Sequence, residues 1–190
     1  MEMKENHKMR RKSSITAIAC MTLVMAVLMT GCAKTNHVSD RSGENADRKV
    51  QSVYLASPFF NETEIENVEY VEKILEDNGM TYFSPMRHEA EGEPGTPEWA
   101  ENIFQMDVEE IQKADAVVVL NYGSYSDSGT AWECGYAVGI GKPVVLVHVN
   151  RDGDSNLMMH CGSTTNIYLD ELKDFDFETM PFFDYQGKMM

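Results

Sequence analysis

The chain has 190 residues, of which 43% are hydrophobic and 25% are charged, a composition that is ordinary for a globular protein. This length favours one domain of usual size over two. With 16 basic and 31 acidic residues, the formal net charge is −15. Such an excess of acid argues against nucleic acid as a partner, because neutralising phosphates requires a basic surface.

The first 31 residues have the pattern of an export signal. A basic segment precedes an uncharged apolar stretch, residues 15–30, which falls short of the length that a spanning helix prefers. Thr30 and Gly31, directly before Cys32, resemble the lipobox of bacterial lipoproteins. We therefore predict a signal peptide over residues 1–31, lipidation at Cys32 and an exported, membrane-anchored protein. An uncleaved membrane anchor is one alternative, and a wrongly assigned start codon, which would leave the protein cytoplasmic, is another.

The segment that follows Cys32 is polar. Residues 32–49 contain Ser, Asn, Asp, Gly and Lys with few apolar side chains, a composition typical of a flexible tether. We expect the folded domain to cover residues 50–190.

The apolar spacing in this domain alternates between two kinds of segment. We predict strands at residues 53–56, 80–83, 114–120 and 144–149, and helices at residues 61–78, 98–113 and 130–140. In the helix at residues 98–113, the positions expected to be buried are Trp99, Ile103, Phe104, Met106 and Ile111. Residues 87–97, rich in Pro, Gly and acid, are expected to form an irregular loop. Strand and helix in repeated alternation predict an α/β fold, a parallel sheet with helices on both faces.

Carboxylates cluster beyond the predicted strand at residues 114–120, where ligands of parallel sheets bind. Asp127 lies in the loop and Glu133 in the following helix, while Asp107 on the preceding helix could reach the same crevice. In the first helical turn, Glu133 would have a lowered pKa and be ionised, as a nucleophile requires. Without a metal-ligand histidine cluster, these acids suggest glycosyl chemistry. The hypothesis that Asp127 only caps the helix and Glu133 is solvated stays equally open.

Several segments carry a resemblance to a known family. They are VYLASPFF at residues 53–60, Asp107, DSGTAWECGYA at residues 127–137, GKP at residues 141–143 and NLM at residues 156–158. Together they resemble the nucleoside 2-deoxyribosyltransferase family over nearly all of residues 50–185. The resemblance implies a flavodoxin-like single domain that transfers 2-deoxyribose between nucleobases by double displacement. Its substrates would be 2-deoxyribonucleosides and free purine or pyrimidine bases, and no cofactor or metal is expected.

The resemblance also implies roles for particular residues. Glu133 matches the nucleophile that forms the covalent deoxyribosyl intermediate. Asp127 and Asp107 match acids near the base, where Asp127 would exchange a proton with the base ring. Tyr54 matches a tyrosine that holds the nucleophile in place.

Further residues are implied to bind substrate. Asn156 and Met158 match residues that reach a neighbouring subunit's site and contact the sugar 5′-hydroxyl, so a homo-oligomer with shared active sites is expected. Glu89 corresponds to a base-contacting amide in the loop after the second strand. Phe59 and Trp132 are candidates for the apolar lining.

Other functions remain as alternatives. An N-glycosidase would hydrolyse deoxynucleosides or their 5′-monophosphates; relatives that bind phosphate use Ser and Arg in the first loop, whereas here Ser57 is followed by Pro58 and two phenylalanines. A non-catalytic nucleoside-binding lipoprotein is a further alternative. Residues 127–130 also match the aspartic protease signature, but their polar flank and the α/β pattern argue against that class.

Overall fold

The computed structural model describes residues 49–183 and 185–190, in which strands and helices alternate. The strands are β1 (Ser52–Ala56), β2 (Thr81–Phe83), β3 (Ala116–Asn121), β4 (Val144–His148) and β5 (Thr165–Tyr168). The α-helices are α1 (Glu62–Asp77), α2 (Pro97–Lys113), α3 (Ser128–Gly139) and α4 (Leu157–Gly162), and 3₁₀ turns cover Pro85–Arg87 and Leu169–Asp174.

The described strands form one parallel sheet in the order β2-β1-β3-β4-β5. From β1 the chain passes to β2 on one side and then returns to β3 on the other side. The strand order therefore reverses between β1 and β3, and ligands of open sheets bind beyond the carboxyl ends of the strands at such a reversal. The predicted flavodoxin-like α/β fold is confirmed.

Both faces of the sheet are buried, as its β-branched strands predict. All residues of β3 and β4 are buried. On one face, Val53 and Val118 share a core with Leu75 of α1 and with the Leu169–Asp174 turn. On the other face, Tyr54 shares a core with Cys134 of α3, with the end of α2 and with α4. Tyr54 is thereby placed on the side of the sheet that α3 covers.

Capping residues set the helix boundaries. The predicted N-cap Asn61 is confirmed, since its side-chain oxygen accepts a hydrogen bond from the Glu64 N–H at 3.0 Å. Helix α3 begins two residues before the predicted start because Asp127 is its N-cap. This shift places Glu133 in the second turn instead of the first.

The predicted burial of α2 is mostly wrong. Of the five positions named above, only Ile111 is buried, and Phe104 is 45% exposed. Ile111 lies near the end of the helix and belongs to the core under the sheet, whereas Phe104 contacts the half-exposed Trp132 of α3 with ring centroids 5.3 Å apart. Helix α2 therefore packs on the sheet mainly through its last turns.

Some predictions fall outside the described residues. These are the signal peptide, the lipidation of Cys32 and the tether up to residue 48. Within residues 49–183 and 185–190, no helix is both long and apolar enough to span a membrane. The strands and helices predicted from the sequence end at residue 149, so helix α4 and strand β5 were not predicted.

Candidate active site

Glu133 is held by a hydrogen bond from strand β1, which lies next to the central strand β3. Tyr54 of β1 is fully buried, and its hydroxyl donates to Glu133 Oε1 at 2.7 Å. The Tyr54 ring stacks on Phe83 of β2 with centroids 5.7 Å apart. A tyrosine fixed on both sides by core packing gives Glu133 a defined position at the carboxyl end of the sheet.

Asp127 caps helix α3. Its Oδ2 accepts hydrogen bonds from the Thr130 N–H at 2.9 Å and from the Thr130 hydroxyl at 3.2 Å. The capping part of the alternative hypothesis is thus correct, but Glu133 is not the solvated first-turn acid that this hypothesis describes. Asp127 still lies close enough for its charge to act on Glu133.

The predicted lowering of the Glu133 pKa is wrong. Burial raises the pKa of Glu133 to about 8, and the charges of Asp107 and Asp127 add to this effect, while the Tyr54 hydrogen bond opposes it. The favourable field of a helix N-terminus decays within the first turn, and Glu133 lies beyond that turn. Desolvation therefore outweighs the helix dipole here.

Asp107 extends the cluster from helix α2. Its Oδ1 is buried without a hydrogen-bond partner among the described residues. Burial raises the pKa of Asp107 to about 6, and the nearby Tyr54 hydroxyl and a positive charge on His88 act in the opposite direction. Because a buried polar atom is normally paired, this oxygen without a partner makes Asp107 a candidate for binding a ligand.

Tyr54 remains a hydrogen-bond donor in this environment. Burial raises its pKa far above the ordinary value, and the carboxylates of Glu133 and Asp107 raise it further. The structure thus brings together Tyr54, Glu133 and Asp107, with Asp127 nearby. Such a group can bind a cationic sugar carbon and hold protons.

The Asn156 side chain is engaged within its own chain. It caps α4, because its Oδ1 accepts from the N–H groups of Met158 at 3.0 Å and Met159 at 3.2 Å. Its Nδ2 donates to the Ser124 carbonyl at 3.2 Å, which connects α4 to the loop after β3. The Met158 side chain is 75% exposed.

The remaining predicted residues lie at the surface. Phe59 is half-buried in the loop after β1 and stacks on Phe60 at 5.7 Å, and Glu89 is exposed after the Pro85–Arg87 turn. Trp132 is 44% exposed and stacks on Tyr136 with centroids 5.1 Å apart. Its contacts are thus with the outer aromatics of α2 and α3, not with the four acid and tyrosine side chains above.

His88 was missed in the sequence analysis. Its ring stacks on Phe83 at 4.1 Å and its Nδ1 lies 2.9 Å from the Ser84 carbonyl. The preceding residue, Arg87, forms paired hydrogen bonds with the buried Glu72 of α1. The sequence feature that could have identified His88 is its position just beyond the end of β2. Within the described residues, no group of three or more His, Cys, Asp or Glu side chains could hold a metal ion.

Comparison with known proteins identifies the family. The family model described as nucleoside 2-deoxyribosyltransferase matches residues 53–165, whereas no curated protein matches the chain. The chain is similar to a solved 2-deoxyribosyltransferase from Bacillus psychrosaccharolyticus, with 37% identity over 70% of this chain and 98% of that one and a TM-score of 0.65.

Two other solved structures are more distant. A conserved protein from Enterococcus faecalis V583 has 20% identity over 75% of this chain and 91% of that one, with a TM-score of 0.47. A CMP N-glycosidase from Clostridium botulinum has 20% identity over 65% of this chain and 94% of that one, with a TM-score of 0.47. On the evidence of the family model and the Bacillus enzyme, the chain belongs to the nucleoside 2-deoxyribosyltransferase family.

Proposed function

We propose that this protein transfers 2-deoxyribose from one nucleobase to another through a covalent intermediate on Glu133. The observation that carries the proposal is the 2.7 Å hydrogen bond from Tyr54 to Glu133 Oε1. This bond occupies one carboxylate oxygen, and Oε2 takes no hydrogen bond from the described residues. Oε2 is therefore the atom available to attack the sugar.

In the first step, Glu133 Oε2 forms a bond to C1′ of the deoxyribose while the bond from C1′ to the base nitrogen breaks. The bonding electron pair leaves with the base, which must take up a proton as it departs. Asp127 is the proposed donor, and Asp107, with its unpaired Oδ1, is proposed to bind near the base. The oxocarbenium-like sugar is stabilised by the carboxylates around it.

In the second step, a new base attacks C1′ from the face that the first base left. The bond from C1′ to Glu133 Oε2 breaks, and the proton of the attacking nitrogen returns to Asp127. Two displacements at one carbon retain its configuration. The site is then in its starting state.

Hydrolysis is the alternative outcome, in which water takes the place of the second base. One observation argues against 5′-monophosphates as its substrates. Ser57 is buried and its hydroxyl donates to the Pro58 carbonyl at 2.8 Å, so this hydroxyl is already used inside the loop. A non-catalytic binding role would give no purpose to the hydrogen bond from the buried Tyr54 to the half-buried Glu133.

We also propose that the site is completed by a second copy of the chain. In support, Leu157 and Met158 at the start of α4 are exposed, as are Phe104 and Trp132 on the surface of α2 and α3. Exposed apolar clusters of this kind are typical of subunit contacts. Analytical ultracentrifugation tests the assembly, and a monomer at micromolar concentration with full activity would contradict it.

The test of the function is to incubate the purified full-length chain with thymidine and adenine and to follow the products by chromatography. Transfer produces deoxyadenosine and thymine. Thymine release at the same rate with and without adenine, and no deoxyadenosine, would instead identify a hydrolase. With thymidine alone, mass spectrometry of peptides should locate a deoxyribosyl adduct on Glu133.

A matched pair of variants tests the nucleophile. Glu133→Gln is expected to reduce transfer by about a thousandfold or more, because the attacking oxygen is lost. Glu109→Gln removes an exposed carboxylate of α2 that pairs with Lys113, and it should leave transfer unchanged. Full activity of Glu133→Gln would refute the mechanism.

A further inference from the structure

A second group of polar side chains is buried at the carboxyl ends of β3, β4 and β5. His148, the last residue of β4, is 2% exposed and has a partner at each ring nitrogen. Nε2 lies 3.1 Å from Asn166 Oδ1, and Nδ1 lies 3.3 Å from Asn121 Nδ2. An amide oxygen only accepts and an amide nitrogen only donates. His148 is therefore a neutral ring that carries its hydrogen on Nε2.

Neighbouring groups fix the orientation of both amides. Asn121 Oδ1 accepts from the Gly123 N–H at 3.3 Å, and Asn121 Nδ2 also donates to the Ser155 hydroxyl at 3.0 Å. Asn166 Nδ2 points to the His160 carbonyl at 3.5 Å. Flipping either amide would set donor against donor or acceptor against acceptor. The hydrogen-bond pattern around His148 thus has one consistent assignment.

This group fastens residues 185–190, which we call the C-terminal strap. The Tyr185 ring stacks on His148 with centroids 3.9 Å apart, and its hydroxyl donates to the Gly153 carbonyl. Ser155 binds the strap through its backbone, donating to the Lys188 carbonyl at 2.8 Å and accepting from the Met190 N–H at 2.9 Å. Ser155 directly precedes Asn156, so the strap and the cap of α4 share one anchor.

A proton on Nδ1 is incompatible with this arrangement. The new N–H would face the Nδ2 donor of Asn121, and a positive charge would lie in a site that is nearly closed to water. To escape this, the Asn121 side chain must move, and the Ser155 hydroxyl then loses its side-chain partner. We propose that neutral His148 fastens the C-terminal strap to the turn that carries Asn156, and that protonation of His148 at mildly acidic pH releases both.

Several titratable or charged groups lie around His148 on the elements packed against it. His160 of α4 lies at 6.3 Å between ring centroids, and Tyr168, at the end of β5, lies at 6.1 Å. The charge of Arg151 lies over the Tyr168 ring at 4.3 Å. On the far side of the cluster, the carboxylates Asp152 and Asp154 act on Tyr185.

The sign of the pH effect follows from burial. Burial lowers the pKa of His148, the Asn166 hydrogen bond partly opposes this effect, and the nearby His160 adds to it, so the closed form resists the proton that the open form takes up. An exposed imidazole titrates near about 6.5. Below that pH, strap opening should increase by up to about tenfold per pH unit until the lowered pKa of the closed form is passed.

Hydrogen exchange of the full-length chain, measured by NMR, tests the proposal. The amides of Ser155, Leu157 and Met190 donate the strap hydrogen bonds, and Val118 in the central strand is the internal reference. Between about pH 7.5 and about pH 5, their protection relative to Val118 should fall about tenfold or more, after correction for intrinsic exchange. Unchanged relative protection in the wild type would overturn the proposal.

Three variants separate the cause. His148→Gln supplies one donor and one acceptor but cannot titrate, so its strap protection should not depend on pH. His160→Gln should keep the pH dependence, and Gly187→Ala should release the strap at every pH because a Cβ there collides with the Tyr185 ring. If strap protection depends on pH in His148→Gln but no longer in His160→Gln, the assignment of the switch to His148 is overturned. If His148→Gln does not fold, the nitrogen-15 chemical shifts of the His148 ring in the wild type provide the test. Shifts at about pH 7.5 that indicate a hydrogen on Nδ1 would also overturn the assignment.

A kinetic measurement connects the strap to activity, and this part rests on the proposed function. Release of the turn before Asn156 should raise KM for the deoxynucleoside at acid pH in the wild type and not in His148→Gln. Since exchange is measured without substrate, a chain that exchanges as expected but transfers no deoxyribose would refute the proposed function and not the strap mechanism.

Discussion

Tyr54→Phe is the sharpest test of how Glu133 is activated. The substitution removes one oxygen and keeps the ring that stacks on Phe83, so core packing is almost unchanged. What is lost is the donor to Glu133 Oε1 at 2.7 Å. Since that bond favours the ionised form of Glu133, the variant should hold its proton more tightly than the wild type does.

The expected size follows from the type of bond. A hydrogen bond to a charged group contributes about 1.5 to 3 kcal/mol, and about 1.4 kcal/mol corresponds to tenfold in rate or one pH unit in titration. The rising limb of kcat/KM should therefore move upwards by about one to two pH units. Transfer near neutral pH should fall about ten- to a hundredfold, and it should recover at alkaline pH, where Glu133 ionises without help.

Tyr82→Phe is the matched control. Tyr82 of β2 donates to Glu76 Oε1 at 2.7 Å, the same pair of groups at the same distance, but on the surface. The assay is chromatography of thymidine and adenine mixtures from about pH 5.5 to about pH 9.5. If Tyr54→Phe and Tyr82→Phe have the same pH profile as the wild type, the activating role of Tyr54 is refuted.

Three further predictions concern Asp127, Arg87 and the pH dependence of transfer. Asp127→Asn keeps an acceptor for Thr130, so the free energy of unfolding in urea should change little while transfer falls about a hundredfold; Asp127→Ala should also lose about 1 kcal/mol of stability. Arg87→Ala leaves the Glu72 carboxylate, which is 4% exposed, without its cation. The free energy of unfolding should fall by about 1 to 2 kcal/mol, which is less than for a fully buried ion pair because Arg87 is half-exposed. In the wild type, kcat/KM should rise with pH up to about 8, since Glu133 must lose its proton to attack; a profile that falls through this range would contradict the assignment.

The sheet could be predicted because its signal is local. Runs of β-branched residues such as those of β3 and β4 are buried on both faces wherever they occur in a parallel sheet. Asn61 was identifiable as an N-cap for the same reason, because its hydrogen bond reaches only three residues along the chain. The shorter α4 and β5 lack such signals.

The burial of α2 could not be predicted in the same way. An apolar residue at helical spacing indicates a face, but not what covers that face. Phe104 and Trp132 pack against each other and remain half-exposed, so the outer surface of α2 and α3 is apolar without belonging to the core.

The side chains that the structure places near one another, Tyr54, Asp107, Asp127 and Glu133, were all named from the sequence, whereas their electrostatics were not predicted. Tyr54 and Glu133 are 79 residues apart in the sequence and were paired only through the family resemblance. The pKa of Glu133 was predicted with the wrong sign because burial of the carboxylate, which depends on how distant segments pack, outweighs the helix dipole. The His148 cluster depends on contacts between strands that are distant in the sequence. His88 is positioned by its ring stacking on the nearby Phe83. Hydrophobic periodicity has no signal for either arrangement.

A raised pKa does not disqualify Glu133 as the nucleophile. With a pKa of about 8, ionising Glu133 at pH 7 costs about 1.4 kcal/mol, or a factor of ten in the population that can react. Groups that stabilise transition-state charge in a poorly solvated site contribute about 3 to 4 kcal/mol each. The burial that opposes ionisation also strengthens the attraction between the carboxylate and the cationic sugar carbon, so the gain exceeds the cost. The neighbouring Asp107, with a pKa of about 6, is mostly ionised at pH 7 and adds to that attraction.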